Sequence, residues 1–187
     1  MRRADETEQA RSADELLVIR CQLGERRAFD ALIARWADPV ANYARRVCQD
    51  GDAAAELAQD VWLRVVRGID RLEDASRFRS WLFGIAHRAF SDLLRRRYRE
   101  LPSSADDFEQ IADEPLADAH ADLEQMEHGL ARLPPVEREI LTLFYLRELT
   151  IDETAEALAI PPGTVKSRLH RARRLLRREL EHDGAIA

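Results

Sequence analysis

Apolar residues recur every third or fourth position along almost the whole chain, and one acidic stretch, residues 101–116, lacks this spacing. The period places the apolar side chains along one face of a helix, not of a strand. We therefore predict an all-α protein, with Pro39 as a kink or break in its second helix. The predicted buried stripes include Phe29, Leu32, Ile33, Trp36, Val40, Tyr43, Ala44 and Val47; then Leu57, Val61 and Val65; and then Trp81, Leu82, Ile85, Ala86, Ala89 and Leu93.

Three local signals mark expected helix starts. Ser12-x-x-Glu15 has the spacing of a capping box, in which the hydroxyl and the carboxylate each satisfy an unpaired backbone amide. We expect it to open a short helix. Asp52 follows Gly51 and is a candidate N-cap for a helix that runs to Arg67. Thr150-x-x-Glu153 is a second candidate capping box. The helix expected to begin at Ser12 would carry Leu16, Ile19 and Leu23.

The acidic stretch divides the chain into two predicted helical domains. Between residues 100 and 129 there are ten Asp or Glu and no Lys or Arg, and Pro102 and Pro115 lie in the same segment. Such a segment has too few apolar side chains to offset the entropy of ordering it. We therefore predict a flexible acidic linker at residues 100–117, between domains at residues 12–99 and 118–182.

Composition argues against several classes of protein. No apolar run approaches the roughly 18 residues of a membrane span, so we expect a cytoplasmic protein without membrane insertion. Cys21 and Cys48 belong to no CxxC pair and fall within apolar helical patterns, so buried free thiols are expected. The five His residues form no metal-binding motif. We predict no metal, no cofactor and no catalytic residues.

Basic residues are concentrated in two segments, although the net charge is −6. Residues 77–99 contain seven Arg and one acid, Asp92, and residues 166–178 contain seven Lys or Arg and no acid. Two basic segments on either side of an acidic one predict two surfaces for a polyanion.

The second basic segment lies in a predicted helix-turn-helix. The helix that begins at Thr150 is followed by the turn 160–163 and by a helix whose apolar side consists of Val165, Leu169, Ala172 and Leu176. Lys and Arg on its other side suit guanine edges in the major groove of duplex DNA. An Arg-rich helix alone is more often a solvated basic face. The preceding capped helix and turn favour the DNA interpretation.

The first basic segment combines arginines with the aromatic residues Phe78, Trp81, Phe83, Phe90 and Tyr98. That composition is suited to stacking unpaired bases and holding a single-stranded backbone. The spacing of Trp81 with Ile85 predicts instead that Trp81 is a core residue, so only exposed neighbours remain candidates for DNA contact.

These segments resemble a known family. "DAAAELAQDVWLRVV" and "FRSWLFGIAHRAFSDLLRRR" resemble region 2 of bacterial RNA polymerase sigma factors of the extracytoplasmic-function (ECF) group. "LPPVEREILTLFYLRELTIDETAEALAIPPGTVKSRLHRARRLL" resembles their region 4. The resemblance implies a region 2 domain that melts promoters and a region 4 domain that reads the minus 35 element. It also implies that the linker between them runs through the nucleic-acid channel of the polymerase.

The resemblance also implies site residues and partners. The partners would be the beta-prime clamp and beta flap of core polymerase, promoter DNA and an anti-sigma factor. Arg88 stands where the family often has Asn. The implied core-binding residues are Glu56, Gln59, Asp60, Trp62 and Arg64. The implied minus 10 residues are Arg77, Arg79, His87, Arg88, Arg95 and Arg96. The implied minus 35 residues are Lys166, Ser167, Arg168, His170, Arg171 and Arg174.

Two other functions compete with that of a sigma factor that initiates transcription in response to an external or stress signal. A dimeric helix-turn-helix regulator acting at operators would leave the Arg-aromatic helix of the first domain without a role. A small helical nuclease would need a metal cluster or a nucleophile–base pair, and the sequence presents no such motif. We therefore expect a non-catalytic specificity subunit, with metal and chemistry supplied by the polymerase core.

Overall fold

The computed structural model describes residues 2–98 and 123–184, and every regular element in these two ranges is helical. The predicted all-α fold is confirmed. Two 3-10 turns, Ile69–Arg71 and Ala75–Arg77, precede the fourth helix, and a π turn, Thr142–Leu146, follows the sixth. The helices are α1 Arg2–Gln22, α2 Arg26–Cys48, α3 Gly51–Gly68, α4 Phe78–Tyr98, α5 Leu123–Arg132, α6 Pro135–Leu141, α7 Ile151–Leu158 and α8 Pro162–Gly184.

Helices α1 to α4 form the first half of the molecule around an aromatic core. The Trp36 ring meets Phe78 edge-on at 5.7 Å between centroids, and Phe83 lies 5.7 Å from Tyr43. All four side chains are buried. Edge and tilted contacts of this kind stabilise a core beyond the burial of apolar area. The stripes predicted on α2, α3 and α4 therefore converge on one core.

Helices α5 to α8 form the second half around buried aliphatic residues. Pro135 occupies the first turn of α6, where its missing N–H removes no hydrogen bond, as the Pro134-Pro135 pair predicts. Val165 and Leu169 bring α8 onto this core. Other large buried side chains of this half are Leu133, Ile140, Leu141, Leu143, Leu149 and Leu158.

Two of the predicted helix starts were wrong. Ser12 lies inside α1, which already begins at Arg2, so it caps no helix. Leu16 on this helix and Leu23, just after its end, are 62% and 80% exposed. Helix α3 is capped by Asp50, not Asp52, since the Asp50 carboxylate accepts a hydrogen bond from the Ala53 amide at 2.7 Å. Pro39 does not end α2, which continues to Cys48.

The two halves pack against each other in the described structure. Helix α4 lies along α7, and α2 contacts α6. Arg138 on α6 is buried and donates to the Val47 carbonyl at 2.9 Å. The predicted acidic linker, residues 100–117, lies outside the described residues.

Both cysteines are buried free thiols, as predicted. Burial raises the pKa of the Cys48 thiol to about 11, and the carboxylates of Asp50 and Glu56 add to the rise. Over the described residues, no helix combines the length and the apolarity that a membrane crossing requires.

Candidate nucleic-acid interface and polymerase-docking surface

The helix-turn-helix begins with a complete capping box. The Thr150 hydroxyl accepts from the Glu153 amide at 3.1 Å, and the Glu153 carboxylate accepts from the Thr150 amide at 2.8 Å. Helix α7 ends at Leu158, the next residue, Ala159, adopts the left-handed conformation with φ +52°, and α8 begins at Pro162. The hydrogen bonds of the capping box thus fix where α7 begins. The position of α8 is fixed by its own buried side chains.

The predicted minus 35 residues lie on α8 at two levels of exposure. Lys166, Ser167 and Arg171 are exposed, whereas Arg168, His170 and Arg174 are partly buried. The Ser167 hydroxyl donates to the Thr164 carbonyl at 3.1 Å, so it already has a partner. The three exposed side chains therefore form the part of this set that is most accessible to a DNA groove.

Arg171 is oriented by a residue that the sequence analysis missed. Its Nε lies 3.1 Å from Oε1 of Glu137, a buried carboxylate on α6. A charged hydrogen bond to a buried acceptor restricts the rotamers of the long Arg side chain. No local pattern distinguishes Glu137 from a solvent-exposed Glu near a helix start, so only the packing of α6 against α8 identifies it.

Three of the predicted minus 10 residues lie on the outer surface of α4. Arg88 is exposed, and Arg95, seven residues later, lies on the same face of the helix. Arg95 is 79% exposed and 3.7 Å from Asp92. Arg96 lies 3.3 Å from Glu56 on α3, and both side chains are largely exposed. Ion pairs between exposed side chains are weak, so these cations are accessible to an incoming anion.

The other three minus 10 residues contact the second half of the molecule. Arg77 lies 2.6 Å from Oε1 of Glu156 on α7. Arg79 donates to the Arg147 carbonyl at 2.6 Å. The Nδ1 of His87 lies 2.9 Å from Oε1 of Glu139. All three residues therefore lie at the contact between the halves, and no sequence pattern predicts their partners.

Three aromatic residues of α4 are not among the exposed neighbours that could stack on unpaired bases. Phe78, Phe83 and Phe90 are each about fully buried in the first core, because their positions on α4 face α2 and α3. Trp81 is partly buried against this core, as predicted. Gly68 leaves room for its ring, since a Cβ there would lie 3.3 Å from Trp81.

The predicted core-binding residues lie on α3 with mixed exposure. Glu56 and Gln59 are exposed opposite the buried Leu57, Val61 and Val65 stripe, and Trp62 is packed against the core. The Arg64 guanidinium lies 2.9 Å from Asp60 on the same helix and 3.0 Å from Asp92 on α4. These two ion pairs link α3 to α4. Two exposed apolar residues of α3 were not predicted from the sequence. They are Leu63 and Val66, at 46% and 50% exposure.

Two groups at the contact between the halves have shifted pKa values. Burial, with the charge and hydrogen bond of Glu139, raises the pKa of the Tyr43 hydroxyl well above its usual value. Burial lowers the pKa of the Arg147 guanidinium, and the nearby charges of Arg46 and Arg79 lower it further. Within the described residues, no cluster of His, Cys, Asp and Glu could hold a metal ion.

Two sequence families match this chain, one in each half. Residues 32–100 match sigma-70 region 2, and residues 123–176 match sigma-70 region 4. The first range contains most of α2, α3 and α4, and the second contains α5 through most of α8. The order of the two matches follows the order of the two predicted DNA surfaces.

Similar full-length proteins come from several bacteria. The RNA polymerase sigma-H factor of Pseudomonas aeruginosa is 30% identical over 181 residues, 90% of this chain and 94% of the relative. The ECF sigma factor SigW of Bacillus subtilis is 30% identical, with 84% and 91% covered. The ECF sigma-E factor of Escherichia coli is 31% identical, with 86% and 90% covered.

Two solved structures have a similar fold. One is CnrH in complex with the cytosolic domain of CnrY, with a TM-score of 0.68 and 26% identity over 91% of this chain and 99% of that one. The other is the sigma factor RpoE with the anti-sigma factor NepR from Bartonella quintana. Its TM-score is 0.65, at 27% identity over 82% of this chain and 96% of that one.

Proposed function

The chain belongs to the ECF group of RNA polymerase sigma factors, and from this premise we propose which of its surfaces meet the polymerase and the promoter. As a member of this family it directs core RNA polymerase to a specific set of promoters and starts transcription there in response to a signal. The observation that carries this function is the match of both halves, in order, to sigma regions 2 and 4.

The outer face of α3 is proposed as the docking site for the beta-prime clamp. Glu56, Gln59 and Asp60 supply its polar groups, and Leu63 and Val66 supply apolar area. A face that combines exposed aliphatic and charged side chains suits a protein partner, because apolar burial gives affinity and charge gives orientation. Trp62 and Arg64 support this face through packing and ion pairs. The beta flap is the proposed partner of the second half.

The exposed cations of α4 and α8 are proposed as the promoter contacts. Lys166, Ser167 and Arg171 would enter the major groove at the minus 35 element, with Arg168, His170 and Arg174 beside them. Arg and Lys donate to guanine edges and to phosphates, so one helix combines reading and anchoring. On α4 and the turn before it, Arg77, Arg79, His87, Arg88, Arg95 and Arg96 would hold the minus 10 strand.

An anti-sigma factor is proposed as a further partner, since one of the similar structures is described as a sigma factor bound to such a protein. The protein is proposed to act in the cytoplasm, where core polymerase and promoters are found. It is proposed to have no catalytic activity of its own, because the polymerase core supplies the metal and the nucleotide chemistry.

Transcription with purified core polymerase tests this function directly. The protein and core are incubated with a library of promoters randomised at the minus 35 and minus 10 elements, and run-off transcripts are sequenced. We expect enrichment of one promoter class that depends on the protein. Core polymerase alone is the control, and an identical transcript population with and without the protein would contradict the proposal.

A further inference from the structure

A cavity of about 460 Å³ lies where the C-terminal ends of α2 and α4 meet the junction between α5 and α6. Its volume falls within the range of about 300–1,000 Å³ that small-molecule sites occupy in proteins. The walls combine residues of the first half with residues of the second half. The apolar side chains among them are Val47, Phe90, Leu93, Leu94, Leu133 and Pro135.

The charged residues that line this cavity are cations. They are Arg97, Arg132 and Arg138, and no Asp or Glu of the described ranges, 2–98 and 123–184, lines the cavity with them. The side chains of Arg97 and Arg132 are 52% and 42% exposed, and their ion pairs with Asp50 and Glu179 are long, at 3.8 and 3.7 Å. Ion pairs between exposed side chains are weak, so both guanidiniums can turn towards an anion in the cavity.

The third cation, Arg138, is fixed in place. It is 6% exposed and donates to the carbonyl oxygens of Val47, Ala131 and Leu133, at 2.9, 3.1 and 3.2 Å. Carbonyl oxygens are neutral acceptors, so these bonds orient the guanidinium without neutralising its charge. A charge that is removed from water attracts an anion more strongly than an exposed charge does, because the effective dielectric constant around it is lower.

The thiol of Cys48 lies in the same wall and is affected by two of these cations. Burial raises its pKa, and the charges of Arg97 and Arg138 act in the opposite direction. The two guanidiniums are therefore close enough to this wall to stabilise a negative charge beside it.

We propose that this cavity binds a small amphipathic acid, with its carboxylate at the arginines and its apolar body against Phe90 and Leu93. Carboxylates form short, paired hydrogen bonds with guanidiniums. An inorganic anion would use only the cations, and a neutral hydrocarbon would use only the apolar wall. Because the walls come from both halves, the bound acid contacts both and stabilises the folded chain.

Isothermal titration calorimetry with the full-length protein tests this site. The probes are phenylbutyrate and octanoate, an aromatic and an aliphatic acid, and the controls are their neutral amides and acetate. We expect at least one acid to bind at a single site about tenfold more tightly than its amide or acetate, since only the acid uses both the cations and the apolar wall. The same acid should raise the midpoint of thermal unfolding, and the tighter of the two identifies the preferred apolar body.

The variant Arg97→Glu locates the binding site. It reverses one charge at the rim, on a side chain that is 52% exposed, and circular dichroism verifies the helix content. We expect the affinity for the acid to fall about tenfold or more. Arg27→Glu is the matched control, because Arg27 is exposed and lies about 30 Å from Val47 along α2. It should bind the acid like the wild type.

The variant Leu94→Trp tests the apolar wall without a change of charge. The larger side chain takes up volume inside the cavity, so we expect weaker binding of the acid. Leu63→Trp is the control, since Leu63 is exposed on α3 and does not line the cavity.

Four outcomes would overturn the inference. They are the absence of binding by both acids at millimolar concentration, binding of the amides as tight as that of the acids, equal affinities of Arg97→Glu and Arg27→Glu, and an unchanged affinity of Leu94→Trp. None of these measurements uses polymerase or promoter DNA, so their failure would leave the proposed function as it stands.

Discussion

The hydroxyl of Tyr43 on α2 donates a hydrogen bond to the Glu139 carboxylate on α6, with 2.5 Å between the two oxygens. Both side chains are buried, and His87 on α4 approaches the same carboxylate oxygen at 2.9 Å. The Glu139 carboxylate of the second half thus contacts side chains from two helices of the first half, α2 and α4. A buried carboxylate is costly unless hydrogen bonds compensate it, so both partners matter for stability.

Replacing Tyr43 by Phe should destabilise the protein. The change removes the donor and leaves the Glu139 carboxylate with one partner fewer in a buried site. We expect the free energy of unfolding to fall by about 1–3 kcal/mol in urea titrations. Tyr145→Phe is the matched control, since Tyr145 is 48% exposed. Equal effects of the two changes would argue against a special role for the buried bond.

Replacing Leu63 by Asp should weaken binding to core polymerase. The change places a charge in the exposed apolar part of the proposed α3 docking face, where desolvating it would oppose association. Affinity for core would be measured by fluorescence titration, and circular dichroism would verify the helix content. Leu16→Asp on α1 is the control, because Leu16 is also exposed but lies outside this face. Unchanged affinity of a folded Leu63→Asp protein would refute the assignment of the face.

Arg171 and Arg178 should differ in how they affect promoter binding. Arg171 lies in the first half of α8, whereas Arg178 lies about two turns further on. We expect Arg171→Ala to cost about 1–3 kcal/mol on the preferred minus 35 element and to relax the preference at one or two positions. Arg178→Ala should weaken binding to all promoter sequences similarly or have no effect, and any loss of affinity should shrink as the salt concentration rises.

The measurement for this pair is holoenzyme affinity for promoters varied base by base at two salt concentrations. Because Arg171 also pairs with the buried Glu137, thermal unfolding of Arg171→Ala must be recorded alongside. A uniform loss with Arg171→Ala, together with a changed preference with Arg178→Ala, would mean that α8 lies in the groove in the opposite orientation.

Loss of the Thr150 cap should destabilise the helix-turn-helix. Thr150→Ala removes the acceptor for the Glu153 amide, and we expect a cost of about 1 kcal/mol in the free energy of unfolding. Ser12→Ala has the same apparent sequence motif but lies inside α1, where Ala is favoured. Its expected effect is close to zero. A comparable loss in both variants would contradict the assigned helix starts.

Cys48 should make folding less favourable at alkaline pH. The folded pKa of about 11 lies above the ordinary value of 9.0, so the folded state holds this proton more tightly than the unfolded state. The corresponding stability is fully present below pH 9 and is lost as pH rises through 9 to 11. Urea midpoints of the wild type and Cys48→Ala, measured from neutral pH upward, should differ less as pH rises. A pH-independent difference would exclude this linkage.

Local sequence patterns are enough to predict the helices and most of their buried faces. Helical periodicity is a local property, since residues three or four apart share a face regardless of what that face meets. The stripes Leu57, Val61 and Val65 on α3 and Val165, Leu169 and Ala172 on α8 are buried as predicted. The Thr150 capping box was also predictable, because its partners lie three residues apart.

Tertiary packing alone decided which of these faces meet and which polar groups they enclose. Leu16 and Ile19 have helical spacing on α1 but remain exposed, because no described element covers their side of the helix. Phe78, Phe83 and Phe90 look accessible among arginines, yet the packing of α4 buries them. The acceptors of Arg77, Arg79 and His87 lie 52 to 79 residues away along the chain. No local spacing encodes such pairs, since they form only when α4 and the turn before it pack against the second half.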